Sequence, residues 1–482
     1  MKQPPRLLIE DWLPAAAIGV ECMRERSSAS ALAPHTYLHV WWARRPLTVS
    51  RAAVLASLLP ADFPRDVFER LLGFWGSSRQ IIRAQEILDS VKNTGNRVKN
   101  LHGERAFKNH IPPLDVTLAH RSIVNLWGDD IRVMDPMAGG GSIPLEAARL
   151  GFNTIANEYN PVACIVLEAT VQYPIQFDLS FVNKTKKWGA ELRKRFNKHL
   201  QHFYPKKGII EPHCYIFART VPCPDTQFDT PLVPDWHLLK PKETTKIKIV
   251  AEPLVDKVRG TWSVRIRELG RGAGKMSEAP KPTYNKGKGI SLFTGRQIPA
   301  DYIKAKAQAG EMRNTLYAVA VKTSDGLEFQ PPETDDLLAL QEAEKELEKR
   351  QPAWLKNNIL PTEEYPKISS DERPRLYGMP RWIDMFSPRQ LLCMGTLVEE
   401  LRALRTEIIQ AEGKEAGEAI VHLLALVIDK FGNHNCSSTR WENTRSVIKG
   451  KMDRHDYAFK STYAEMAPCG SGAGLAWAID NV

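Results

Sequence analysis

Residues 131–147 read IRVMDPMAGGGSIPLEA, and the fold follows from this stretch. The apolar run Ile131–Met134 predicts a buried strand. Asp135 and Pro136 end it, and the small residues Ala138, Gly139, Gly140, Gly141 and Ser142 predict a tight loop. Helical spacing begins at Ile143 and runs to Leu150. Strand, glycine loop and helix in that order form the first turn of a nucleotide-type α/β unit. Glycines there let the backbone approach a ligand with no Cβ in the way.

A second strand is predicted over Phe152–Asn157, and Glu158 follows it, 23 residues after Asp135. An acidic group about 20 residues on, at the end of the second strand, can accept from both hydroxyls of a ribose. The competing reading is a glycine turn of an unrelated α/β protein with Glu158 in solvent. The ordered series of strand, loop, helix, strand and acid favours the nucleotide reading. The loop lacks the Gly-Lys-Ser/Thr ending of a phosphate cradle, which argues against a kinase or ATPase. Residues 270–276 have the wrong spacing for one, with Met276 where a magnesium-binding hydroxyl belongs; they read as a flexible basic loop.

Asp135-Pro136-Met137-Ala138-Gly139-Gly140-Gly141 resembles the cofactor motif of S-adenosylmethionine-dependent DNA methyltransferases, and Glu158-Tyr159-Asn160-Pro161 resembles their second motif. His39-Val40-Trp41-Trp42-Ala43-Arg44-Arg45-Pro46-Leu47 resembles the N-terminal signature of a prokaryotic family of adenine-specific DNA methylases that typically contain a zinc ribbon. Ser387–Leu392, Asn433–Ser438 and Tyr463-Ala464-Glu465 resemble further landmarks of that family. The likeness covers the chain from about residue 6 onward, with poorly matched stretches at 63–110 and 210–330.

The resemblance implies a cofactor site for S-adenosylmethionine built from Asp135, Pro136, Ala138, Gly139 and Gly141, with Glu158 on the ribose, Asn160 supporting that turn, and His39 and Trp42 closing the pocket. Read on its own, the tryptophan pair is either such a closure or a core helix start with Trp41 inside. Arg44 and Arg45 can stack on rings or pair with anions. Residues 51–59 predict a core helix.

One expected element is missing. Amino-methyltransferases carry Asp/Asn/Ser-Pro-Pro-Tyr/Phe, whose acceptor and carbonyl hold the target amine while the aromatic ring stacks on the flipped base. Ile111-Pro112-Pro113-Leu114 and Gln330-Pro331-Pro332-Glu333 both lack the acceptor and the ring. The resemblance implies that the motif lies beyond Val482, on a missing or separate second polypeptide; the alternative is a protein that kept binding and lost catalysis. Catalytic residues stay unassigned.

The zinc expectation also fails in sequence. None of Cys22, Cys164, Cys214, Cys223, Cys393, Cys436 and Cys469 forms a Cys-x₂-Cys pair. Cys214 and Cys223, with His213 and His237 near, mark where a ribbon belongs, and Ser291–Gly295 stands in place of its second pair. No metal site is predicted.

The 482 residues allow two or three domains, and the net charge of +10 suits a polyanionic partner, DNA. No signal peptide or membrane span is read, and the scattered odd cysteines fit a reducing, cytoplasmic setting. Residues 184–207 predict an amphipathic helix with Trp188, Leu192, Phe196, Leu200 and Phe203 on one face and lysines and arginines on the other. Further helices are expected at 335–350, capped by Thr334, from Ser387-Pro388 to about Ala411, and at 417–431; residues 351–375 read as irregular.

The expected architecture is α/β, a partial Rossmann-like methyltransferase sheet. A helical N-terminal segment (1–120) precedes the cofactor core (121–204), a basic β-rich insertion (205–330) and a helical region (331–482). The expected function is the cofactor-binding part of a DNA amino-methyltransferase, at adenine N6, in restriction or phage defence. A non-catalytic DNA-binding scaffold and an RNA methyltransferase are the alternatives.

Overall fold

The computed structural model describes residues 5–27, 32–92, 94, 98, 101–206, 208, 210–241, 247–269, 271–272, 275–276, 278–324, 326–369, 371–454, 456–457, 459–470 and 474–482. Its contacts divide the chain into two units, Met1–Val182 and Asn183–Val482, and the boundary falls within the helix Leu179–Leu200.

The first unit is mostly helical. Helices Ala15–Arg26, Leu47–Leu58, Arg65–Leu71, Ser78–Val91 and Pro113–Trp127 surround a core that includes Ile18, Leu55, Phe68, Ile81 and Ile123. Ala147, Leu150 and Phe152 join the same core, so the glycine-loop helix is anchored on the N-terminal helices. Pro46 sets up the helix Leu47–Leu58 as its N-terminal neighbour, and buried Glu25 accepts from the amides of Leu47 and Thr48 in its first turn.

Strand β1 (Arg132–Asp135), helix Ser142–Arg149 and strand β2 (Asn153–Ala156) form the predicted unit, with β1 and β2 parallel and Asp135 opposite Ala156. Among the described residues this sheet has two strands only, fewer than a Rossmann-like sheet requires. Parallel strands are normally covered on both faces, yet here Met134 and Ile155 are exposed.

The second unit is built on antiparallel strands. Gly326–Gln330, Arg313–Thr323, β3 (Pro212–Pro222) and Thr462–Met466 pair in that order, and Asp229–Pro231 adds to β3. The segment 205–330 is therefore joined through β3 to a strand from near the C-terminus. The helix ending at Leu200 has the predicted face: Leu192, Phe196 and Leu200 are fully buried, and Phe196 meets Phe431 edge to face. Ser387 caps the helix Pro388–Glu412 through Gln390, as expected.

Two expectations need correction. The acidic helix runs Thr334–Lys356, through Pro352 and into the stretch read as irregular, and Glu333 with Asp336 caps it instead of Thr334. Its buried stripe is Ala339, Ala343, Leu347 and Trp354; Leu337 faces out. Residues 270, 273 and 274 of the expected basic loop lie outside the described residues, while Arg271–Gly272 and Lys275–Met276 pair as short strands.

Candidate functional site

The loop between β1 and its helix is held by a dense set of backbone bonds. Asp135 closes the strand: its carbonyl accepts from the Asn157 amide at 2.9 Å and its Oδ1 from the Met137 amide at 3.1 Å. The Pro136 carbonyl accepts from Asn157 Nδ2 at 3.0 Å. The Ala138 amide donates to the Asn157 carbonyl at 3.0 Å, so the loop is sewn to the residue that follows β2. Gly139 and Gly141 have φ of 51° and 80°, the left-handed region that other residues enter at a cost.

Glu158 lies against the bend, as its spacing predicts. Its Oε2 accepts from the Gly139 amide at 2.6 Å, and its Oε1 from the amides of Tyr159 at 2.8 Å and Asn160 at 3.0 Å. These three amides, Asn160 first, hold its carboxyl below the usual carboxylate range. The carboxylate is thus ionised and already engaged, with part of its acceptor capacity left for a hydroxyl. Asn160 has a more local task than the ribose turn alone: its Oδ1 caps the helix Pro161–Leu167 through the amides of Val162 and Ala163.

The N-terminal signature reaches the same bend through Trp41 and Arg44. A Cβ on Gly139 would lie 2.8 Å from Trp41 Nε1, and one on Gly140 would lie 2.5 Å from Arg44 Nε. Those side chains cover the loop at Gly139 and Gly140. His39 and Trp42 are not among the nearest atoms to any loop glycine. Ser142 Oγ donates to the Arg45 carbonyl at 2.7 Å, which ties the signature to the first turn of the helix. Deeper in, Arg51 and Glu146 form a fully buried ion pair, and Glu146 also takes Arg149 at 2.6 Å.

The stretch where the resemblance places a ribbon forms two matched turns. Cys223 and Ser291 each accept, through the carbonyl, from the amide four residues on: Gln227 at 2.8 Å and Gly295 at 2.9 Å. Gln227 and Gly295 both have positive φ, 61° and 73°. The Ser291 hydroxyl accepts from the amides of Phe293 and Thr294, and the Cys223 sulfur is bonded by those of Asp225 and Thr226. The turns face each other, with Cys223 Sγ 3.1 Å from Ser291 Oγ. Burial pushes the Cys223 thiol up, but the bonds from Ser291, Thr226 and the two amides outweigh it and leave the thiol below its ordinary value. Cys214 sits instead in β3, opposite Ala320 and Met466, and His237 is taken by Asp235. Among the described residues no group of histidines, cysteines and carboxylates could hold a metal ion.

Two of the later landmarks, Ser387–Leu392 and Tyr463–Glu465, meet in one core. Arg389 is buried between the rings of Tyr204 and Tyr215, at 4.3 and 4.2 Å, and pairs with buried Glu465. Ser387 Oγ donates to Glu465 at 3.0 Å, and Thr439 Oγ1 to the Ala464 carbonyl. These residues position helices and strand. The expected basic helix face is partly neutralised by Lys184–Glu412, Arg195–Glu407 and His199–Glu400 contacts of 3.1, 2.8 and 3.1 Å.

Comparison with known proteins agrees with the first unit's geometry. Residues 12–71 match a family model described as protein of unknown function (DUF1156). Residues 103–202 match one described as RMKL-like, methyltransferase domain. The second span contains the whole glycine-loop unit, and the class it supports is a methyltransferase, whose methyl donor would be S-adenosylmethionine. No curated protein and no solved structure matches the chain. No helix among the described residues is long and apolar enough to cross a membrane.

Proposed function

We propose that this chain is the S-adenosylmethionine-binding part of a DNA amino-methyltransferase acting at adenine N6, whose acceptor-holding motif is supplied from outside these 482 residues. The observation that carries the reading is the β1–glycine loop–helix–β2 unit with Glu158 bonded to Gly139, inside the span similar to a methyltransferase domain. The residues suit the donor: two left-handed glycines open the bend, Glu158 is ionised beside it, and the first-turn amides of the helix Ser142–Arg149 have no side-chain cap. When bound, the donor supplies a methyl group on a sulfonium, transferred directly to the amine. The chain's own share is to hold the ribose near Glu158, shape the pocket with Asp135, Pro136, Ala138, Gly139 and Gly141, and cover it with the His39–Pro46 segment.

Further strands from outside these residues are supported by the exposed apolar side chains of the two-stranded sheet, Met134 and Ile155, and by its open strand edges. DNA is supported by the net charge of +10 and by the whole-chain resemblance, and a role in restriction or phage defence follows from that resemblance alone. An RNA acceptor fits the methyltransferase-domain match as well. The test is transfer of a labelled methyl group to DNA and RNA by the chain with and without the product of an adjoining reading frame that carries Asp-Pro-Pro-Tyr. Label in DNA adenine only when both are present is the expected result. Label confined to RNA overturns the DNA assignment, and donor-independent DNA binding with no label supports the scaffold alternative.

A further inference from the structure

We propose that Arg44 receives the carboxylate of the methyl donor's amino-acid end, a deepening of the donor-binding reading above. Arg44 Nη1 donates to the His35 carbonyl at 2.9 Å, which fixes the guanidinium. Its Nε and Nη2 are buried and have no partner. These two nitrogens form the edge of the guanidinium whose N–H bonds run parallel, the fork that matches a carboxylate's two oxygens. That edge lies on the glycine loop: a Cβ on Gly140 would be 2.5 Å from Nε and 3.1 Å from Nη2.

Arg44 is half-buried with two buried nitrogens unpartnered, which is unfavourable for a cation, and among the described residues no carboxylate pairs with it. Burial lowers the Arg44 guanidinium to about 10. The carboxylates of the bend are engaged, Glu146 with Arg51 and Arg149, Glu158 with three amides, and Asp135 Oδ1 with the Met137 amide. His35 is buried with Nε2 unpartnered, and burial together with Arg44 and Arg149 pushes it down to about 3, so it is neutral. The uncapped first turn of the helix Ser142–Arg149 adds the positive end of its dipole. A small planar anion delivered by a ligand on this loop satisfies the free fork.

The test is calorimetric titration of the full chain with S-adenosylmethionine and with decarboxylated S-adenosylmethionine, which keeps the nucleoside, sulfonium and amine. The native chain should prefer the carboxylated donor by roughly 10- to 100-fold, the range of a charged hydrogen-bonded pair. Arg44→Met should lose that factor for S-adenosylmethionine and keep its affinity for the decarboxylated compound. Gly140→Ala, whose new Cβ displaces the fork while Arg44 remains, should give the same selective loss, and Arg44→Lys an intermediate one. Equal weakening of both compounds, or a native chain that does not discriminate between them, overturns the proposal. A folded native chain that takes up neither compound defeats the donor-binding reading itself, and the Arg44 assignment with it.

Discussion

Removing Glu146 should destabilise the first unit far more than a surface change. Glu146 and Arg51 are both wholly buried and joined by a short ion pair, with Arg51 in the span 12–71 and Glu146 in the span 103–202. In Glu146→Ala, Arg51 keeps a bond of 3.4 Å to the Leu71 carbonyl, while Nη2 has no partner even in the native protein. Breaking a buried pair on one side typically costs about 3–5 kcal/mol, because the remaining charge stays buried. Against a total stability of about 5–15 kcal/mol this is a large fraction. Replacing both partners, as Arg51→Met with Glu146→Leu, should be far milder than the sum of the singles, since apolar substitution of a whole buried pair is often neutral or better. Urea unfolding of the four proteins, followed by tryptophan fluorescence and circular dichroism, measures the cycle. Single variants that lose less than about 1 kcal/mol, or a double variant as damaged as both together, would refute the reasoning.

Gly141→Ala should lose roughly 2–5 kcal/mol, combining a left-handed φ of 80° with a Cβ 2.9 Å from Leu167 Cδ2; unfolding with a native-like midpoint would contradict this. Lys430 is lowered to about 8 by burial beside Trp477. Between pH 8 and about 10.4 the unfolded chain binds the extra proton, so this lysine makes stability rise with pH there. Denaturation midpoints across that window should show Lys430→Met lacking this contribution, and parallel curves would count against it. The triple variant Thr226→Cys, Ser291→Cys, Thr294→Cys places four thiols on the two facing turns and should bind about one zinc per chain by elemental analysis. A metal-free triple variant would mean the turns do not form a ligand centre.

The parts of this protein that periodicity and spacing control were legible in its sequence. Apolar run, glycines and the acid 23 residues later fix the β1–helix–β2 unit, because each is a local rule read along one chain. The same holds for Ser387-Pro388 and for the Trp188–Phe203 stripe. Residues 39–46 have no regular period, so which side chain meets the bend is not read from spacing. Which of two adjacent tryptophans turns inward depends on the local path of the backbone, and Trp41, with Arg44, lies at the glycines. Contacts distant in sequence are not read from periodicity, although the ribbon resemblance pairs the Cys223 and Ser291 regions. Cys223 meets Ser291, and β3 pairs with Thr462–Met466, through packing that no local motif encodes. The cap of the acidic helix was placed one residue late because Glu333 and Asp336 outcompete Thr334.

Titration of the intact, folded chain with S-adenosylmethionine, repeated on Glu158→Ala, tests the account at its centre. The account predicts one saturable site in the native chain and a marked loss in the variant, whose bend loses the acceptor for three amides. A folded native chain that releases or absorbs no binding heat and retains no labelled donor would contradict it.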